Sequence, residues 1–77
     1  MLFVIARRPR NDGVSLSSEA LPYRMWYDTV PHAVGYAQFR AGLKSARIEI
    51  RDGSGEIVET IHHDPDGKRE TNTLGGL

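Results

Sequence analysis

Apolar and polar positions divide the chain into a few blocks of different period. Leu2–Ala6 ("LFVIA") is a continuous apolar run, β-branched at Val4 and Ile5. Apolar side chains on both faces predict a strand in the interior of a sheet. Arg7–Gly13 ("RRPRNDG") ends it, because Pro9 lacks an amide donor and Asn-Asp-Gly favours a turn. Residues 14–29 follow no clear period. Ser17 or Ser18 suits the cap of a short helical turn, which Pro22 would stop. Tyr23–Tyr27 ("YRMWY") reads in two ways. It is either a short fourth strand, with Tyr23, Met25 and Tyr27 on one face and Trp26 on the other, or an extended loop laid across the sheet.

A helix follows. Asp28 or Thr29 can cap it, and Pro31 falls in the first turn, where a missing amide does no harm. Val30, Val34, Ala37 and Ala41 recur at helical spacing, as do Tyr36, Phe39 and Leu43, which predicts a wide apolar face. Gly42 stands where a helix ends in a residue of positive φ, with Leu43 expected to fold back on the last turn. Gly35 in the helix interior costs about 1 kcal/mol relative to Ala. Close approach to the sheet would offset that cost, and a contact for a partner would look the same.

Ser45–His63 predicts a β-hairpin. Ala46, Ile48 and Ile50 alternate with Arg47, Glu49 and Arg51, and "DGSG" supplies two glycines for the turn. A turn centred on Gly53-Ser54 sets Arg51 opposite Glu56, Ile50 opposite Ile57, Ile48 opposite Glu59 and Ala46 opposite Ile61. That register points Glu59 inward. It then needs a bulge, a sheet narrow enough there to reach water, or a polar partner. The expected fold is α+β, with one helix packed on a small three- to four-stranded, mainly antiparallel sheet in the order β-α-β-β. Residues 1–64 form one compact domain in this reading, and residues 65–77 a polar, mobile tail.

Composition narrows the possibilities. Seventy-seven residues bury only about 60% of the unfolded surface, which leaves little material for a deep cleft. The chain has no cysteine, so a disulfide framework, a thiolate zinc site and a cysteine nucleophile are all excluded. The short "MLFVIA" start precedes its positive charges rather than following them, unlike a signal peptide, and no apolar run reaches membrane-spanning length. The expectation is a soluble, cytoplasmic protein without a membrane partner. Residues 1–51 hold eight Lys/Arg and four Asp/Glu (+4), and residues 52–77 hold two and six (−4), so the formal charge is zero. A neutral total argues against a non-specific nucleic-acid binder and against a heavily acidic DNA mimic.

Ala33–His63 resembles a group of small uncharacterised bacterial proteins. These carry a short helix with a Y-A-x-x-R-like core and a hairpin reading roughly "IRVYD-x-x-GNVIET-x-x-H". Tyr36, Ala37, Arg40, Ile48, Arg51, Asp52, Gly55, Ile57, Val58, Glu59, Thr60 and His63 carry the match. The resemblance implies the helix-and-hairpin fold and brings no activity with it. In size and lack of motifs the chain is also similar in type to phage and mobile-element accessory proteins, including anti-CRISPR inhibitors.

The one stretch that looks like chemistry is "ETIHHDPDG". Its His62 and His63 are neighbours on a strand and point to opposite faces, so they cannot share a metal with Asp64, Asp66 or Glu59 unless the strand breaks. "DPDGKRE" lacks the alternating carboxylates of a calcium loop. No serine lies in a nucleophile elbow, and "DGSGE" opens a strand rather than a helix, so neither a triad nor a phosphate loop is indicated. The expectation is no catalysis, no metal and no cofactor. Arg7, Arg8, Arg10, Tyr23, Arg24 and Trp26 remain, residue types that dominate protein interfaces. They point to a non-catalytic protein-binding module acting stoichiometrically on a host protein or complex. The alternative is a small nucleic-acid-associated regulator that uses the three arginines with Tyr23–Tyr27 as a stacking surface.

Overall fold

In the computed structural model, residues 1–8, 10 and 12–65 are described. Their elements are β1 (Leu2–Arg7), β2 (Val14–Ser17), β3 (Met25–Tyr27), α1 (Val30–Ala41), β4 (Ala46–Arg51) and β5 (Ile57–His63). The five strands form one mixed, open sheet in the order β3-β2-β1-β4-β5. Among the described residues the class is α+β with a single helix, as the apolar pattern implies. The expected count of three to four strands and the order β-α-β-β are corrected to five strands and β-β-β-α-β-β.

β1 occupies the centre of the sheet. It pairs antiparallel with β2 and parallel with β4. On one face Phe3 and Ile5 are fully buried with Leu16 and Ile48. On the other, Leu2, Val4 and Ala6 are half-buried. The parallel neighbour follows from the crossover: the chain leaves β3, passes along α1 and returns as β4 beside β1.

β2 is the strand that the sequence pattern does not show. "VSLS" is short, and Ser15 and Ser17 break its apolar character. Ser15 lies between Ala6 and Trp26 in the ladder and is nevertheless buried. Arg8 N–H donates to Gly13 O at 3.1 Å across the turn that joins β1 to β2. Gly13 adopts φ 126°, and a Cβ there would lie 2.9 Å from the Tyr27 carbonyl oxygen. Beyond β2 the expected helical turn is replaced by a simple turn, where Ser18 Oγ accepts from Ala20 N–H and donates to Leu2 O.

α1 starts at Thr29, whose Oγ1 accepts from His32 N–H, with Pro31 in its first turn. Its buried stripe is Ala33, Ala37 and Ala41, with Val30, Val34 and Tyr36 half-buried beside it. Small side chains at this spacing let the helix lie close on β1, β2 and β4. Helical spacing puts Phe39 and Leu43 on the apolar face, but they are 76% and 91% exposed. Phe39 points away from the alanine stripe, and Leu43 lies beyond the helix end without folding back. Gly42 closes the helix at φ 59°, its N–H donating to Gln38 O. Gly35 is exposed, and a methyl group added to it would meet nothing within 4 Å, so close approach to the sheet does not explain it.

The hairpin forms with a shifted register. Asp52 N–H donates to Glu56 O and Gly55 N–H to Asp52 O, with Gly55 at φ 94°. The turn is thus one residue longer than one centred on Gly53-Ser54. A bulge between Ile50 and Arg51 adds a second step. Ile50 consequently faces Glu59, Ile48 faces Ile61, and Ala46 faces His63. Arg51 faces Ile57 and not Glu56. Glu59 does lie on the helix side, but α1 packs on β1 to β4 and leaves it exposed. Apart from Pro65, the expected tail lies outside the described residues.

Candidate functional site: the open face of the sheet

The helix covers one face of the sheet, and among the described residues no element covers the other. Strand alternation assigns this second face: Leu2, Val4 and Ala6 from β1, Ser15 and Ser17 from β2, Trp26 from β3, Arg47, Glu49 and Arg51 from β4, and Thr60 and His62 from β5. A half-buried apolar strip along β1 therefore runs between an aromatic edge and a charged row.

The aromatic edge is Trp26, 56% exposed. The Arg8 guanidinium lies 4.8 Å from the centroid of its ring, within cation–π range. Arg8 Nε also pairs with Asp12 Oδ1 at 3.4 Å. Arg8 directly follows β1, so this contact links the β1–β2 turn to β3.

The charged row is a clasp. Glu49 is buried although it lies on the open face. Arg51 Nη2 donates to its Oε1 at 2.9 Å, and Arg47 Nε approaches its Oε2 at 3.5 Å. Arg51 Nη1 also donates to Gly55 O at 3.1 Å, which ties the clasp to the hairpin turn. Arg51 Nε is buried without a partner among the described residues. The two arginines cover the carboxylate and leave a net positive charge above it. The alternation Arg47-Ile48-Glu49-Ile50-Arg51 already carries this arrangement in the sequence. Its significance emerges only once the helix is known to lie on the opposite face.

The sequence-derived candidates divide between the two sides. Arg8 and Trp26 are brought together on the open face. Arg7 follows Phe3 and Ile5 to the helix side, where it lines a recess with Asp28, Thr29, Val30 and Pro31. Arg10 is exposed in the turn between β1 and β2, and Tyr23 and Arg24 are exposed just before β3. Of the six, Arg7 is the one that the strand register sets on the opposite side of the sheet from Trp26.

His62 and His63 do point to opposite faces. His62 is exposed, and His63 Nε2 lies 2.9 Å from Gly42 O at the end of α1. His62 also lines an open depression of about 440 Å³ at one end of the sheet, with Met1, Glu19, Ser45 and Arg47. Ser45 and His62 share that rim without a hydrogen bond between them. Among the described residues no group of three or more His, Asp or Glu is placed to hold a metal ion. Nor is any helix long and apolar enough to cross a membrane.

The open face thus offers shape and charge for contact, with apolar ground flanked by a stacked Trp–Arg pair and an Arg–Glu–Arg clasp. Comparison with known proteins matches this chain to no family model, no curated protein and no solved structure.

Proposed function

We propose that this chain is a non-catalytic protein-binding module whose contact surface is the open face of the sheet, centred on Trp26 and Arg8. The observation that carries the reading is the exposed indole held under a guanidinium beside a half-buried apolar strip. Tryptophan and arginine are among the residues that carry most of the energy at protein interfaces, where they cluster near the centre of the contact. Arg10, Tyr23 and Arg24 extend the proposed contact beyond the strands. Arg7, on the helix side, is not part of it. A stoichiometric inhibitor of a host protein complex, of phage or mobile-element type and anti-CRISPR-like, is the more specific form of this proposal. Its support is the small size and the lack of catalytic motifs.

A second reading, a nucleic-acid-associated regulator, is favoured by the same Arg8–Trp26 stack, which resembles a platform for single-stranded bases. The pairing of Arg8 with Asp12 and of Arg47 and Arg51 with Glu49 weighs against it, because these cations already have carboxylate partners.

Affinity capture from host lysate, with Arg8→Ala, Trp26→Ala and Arg7→Ala as parallel baits, tests the first reading. A partner kept by Arg7→Ala and lost by the other two supports the open face. A partner list unchanged in all three removes it. Oligonucleotide binding that weakens steeply with salt would favour the second reading.

A further inference from the structure

Among the described residues β5 is the longest strand, and it forms one edge of the sheet. It spans seven residues, Ile57–His63, and its outer side has no partner strand among the described residues. Proteins usually shield such an edge with charged side chains, lysine above all, or with proline, a bulge or a very short strand, and in β5 the only charged residue is Glu59. The opposite edge, β3, has only three residues. β5 contains neither lysine nor proline, and its single irregularity, the bulge opposite Ile50/Arg51, lies at the hairpin end.

One backbone hydrogen bond fixes which β5 groups face outward. Arg47 N–H donates to Met1 O at 2.8 Å, so the backbone polar groups of Arg47 point towards β1. Those of its neighbours Ala46 and Ile48 then point towards β5, where they face His63 and Ile61. Along an antiparallel ladder this alternates, so the outward-facing N–H and C=O groups of β5 belong to Thr60 and His62.

We propose that β5 pairs antiparallel with the β5 of a second copy of this chain, with Ile61 on the twofold axis. This inference does not depend on the proposed function. In this register Thr60 of one copy opposes His62 of the other, and the two outward-facing residues exchange N–H···O=C bonds on each side of the axis. Ile61 meets its own copy in a non-hydrogen-bonded pair, where side chains approach most closely. Glu59, which has no side-chain partner among the described residues, comes opposite His63 of the second copy. Its carboxylate thereby meets, on the same face, an imidazole whose Nε2 is held by Gly42 O of its own chain and whose Nδ1 remains for the contact. The Glu59–His63 juxtaposition occurs twice about the axis, and this favours a second copy over an unrelated strand. Because paired residues share a face, both helices fall on one side and the two open faces become continuous.

The absence of native cysteine makes the register directly testable. Full-length chain carrying Ile61→Cys or Thr60→Cys is oxidised and resolved by non-reducing electrophoresis, alongside sedimentation of the unmodified protein. The expected result is a reversible dimer and a disulfide at position 61. Cα atoms of such a pair lie about 4.5 Å apart, inside the disulfide range of roughly 4.4–6.8 Å. Thr60→Cys should not crosslink, because its twofold mate is displaced along the strand. Glu59→Lys, which sets a cation opposite His63, should weaken the dimer about tenfold while leaving the far-UV spectrum unchanged. A monomer at every concentration up to about 100 µM, where even weak specific pairs associate, would overturn the proposal. So would a dimer that crosslinks at position 60 instead of 61, or one indifferent to Glu59→Lys.

Discussion

Arg51 and Glu49 stand two residues apart on one face of β4, with Nη2 of the guanidinium 2.9 Å from Oε1 of the carboxylate. The Glu49 side chain retains 10% of its exposure, against 37% for Arg51 and 55% for Arg47. The two ion pairs of Glu49 are therefore unequal, the shorter one also being the better shielded.

That inequality sets the first prediction. Glu49→Ala leaves Arg51 partly buried without its carboxylate, with only the Gly55 carbonyl as acceptor, and should cost about 1–3 kcal/mol. Arg47→Ala removes a longer, more exposed pair and should cost no more than about 0.5 kcal/mol. Urea denaturation of the three proteins checks the ranking. Equal losses from the two substitutions would mean that the clasp does not act as the distances indicate.

Asp52 gives the second prediction. Its carboxyl is held below the usual carboxylate range, first by the Ser54 hydroxyl and then by backbone N–H groups of Glu56, Ser54 and Gly55. A group whose pKa is depressed in the fold stabilises it above the unfolded value and loses that contribution as pH falls through the folded value. Asp52→Asn should therefore be less stable than the parent at neutral pH, with the difference shrinking as the pH drops below about 4. Ser54→Ala should move the Asp52 titration, followed by carbon NMR, back towards the ordinary value. A difference that persisted undiminished in acid would contradict the assignment.

The hairpin turn also shows what was legible in the sequence. Alternation in Ala46–Arg51 and the two glycines of "DGSG" were enough to place a hairpin. They did not fix its register, because Asp52 lengthens the turn by capping Ser54 and Glu56 N–H groups, and the bulge adds its own step. β1 was readable as interior because it is apolar on both faces. β2 was not, because Ser15 is buried through its place between Ala6 and Trp26, a property of the assembled sheet. The candidate site was legible in the same partial way. The residue types of Arg8 and Trp26 were visible, but their meeting depends on β2 setting β3 beside the β1–β2 turn. Only the fold separates Arg7 from Arg8.

Trp26 is the only tryptophan, so its emission reports the Arg8 contact without interference. Arg8→Ala should alter the intensity or wavelength of that emission and cost on the order of 0.5–1 kcal/mol, the range for an exposed cation–π pair. Asp12→Ala should leave the spectrum nearly unchanged, because it removes only the ion pair behind the guanidinium. Identical spectra for Arg8→Ala and the parent would show that the cation does not rest on the ring in solution.

The last prediction contrasts two glycines. Gly13 combines φ 126° with a Tyr27 carbonyl oxygen 2.9 Å from the position of an added Cβ. Gly13→Ala must therefore strain the backbone and displace the β1–β2 turn from β3, at a cost of about 1–3 kcal/mol. Gly35 lies within α1, with open space around it, and Gly35→Ala should stabilise the fold by about 0.5–1 kcal/mol through helix propensity alone. Thermal melts of the two variants should move in opposite directions. A stabilised Gly35→Ala that also binds its partner less well would place a contact on the outer side of the helix. Unchanged binding would leave the open sheet face as the contact surface and the glycine without a role in recognition.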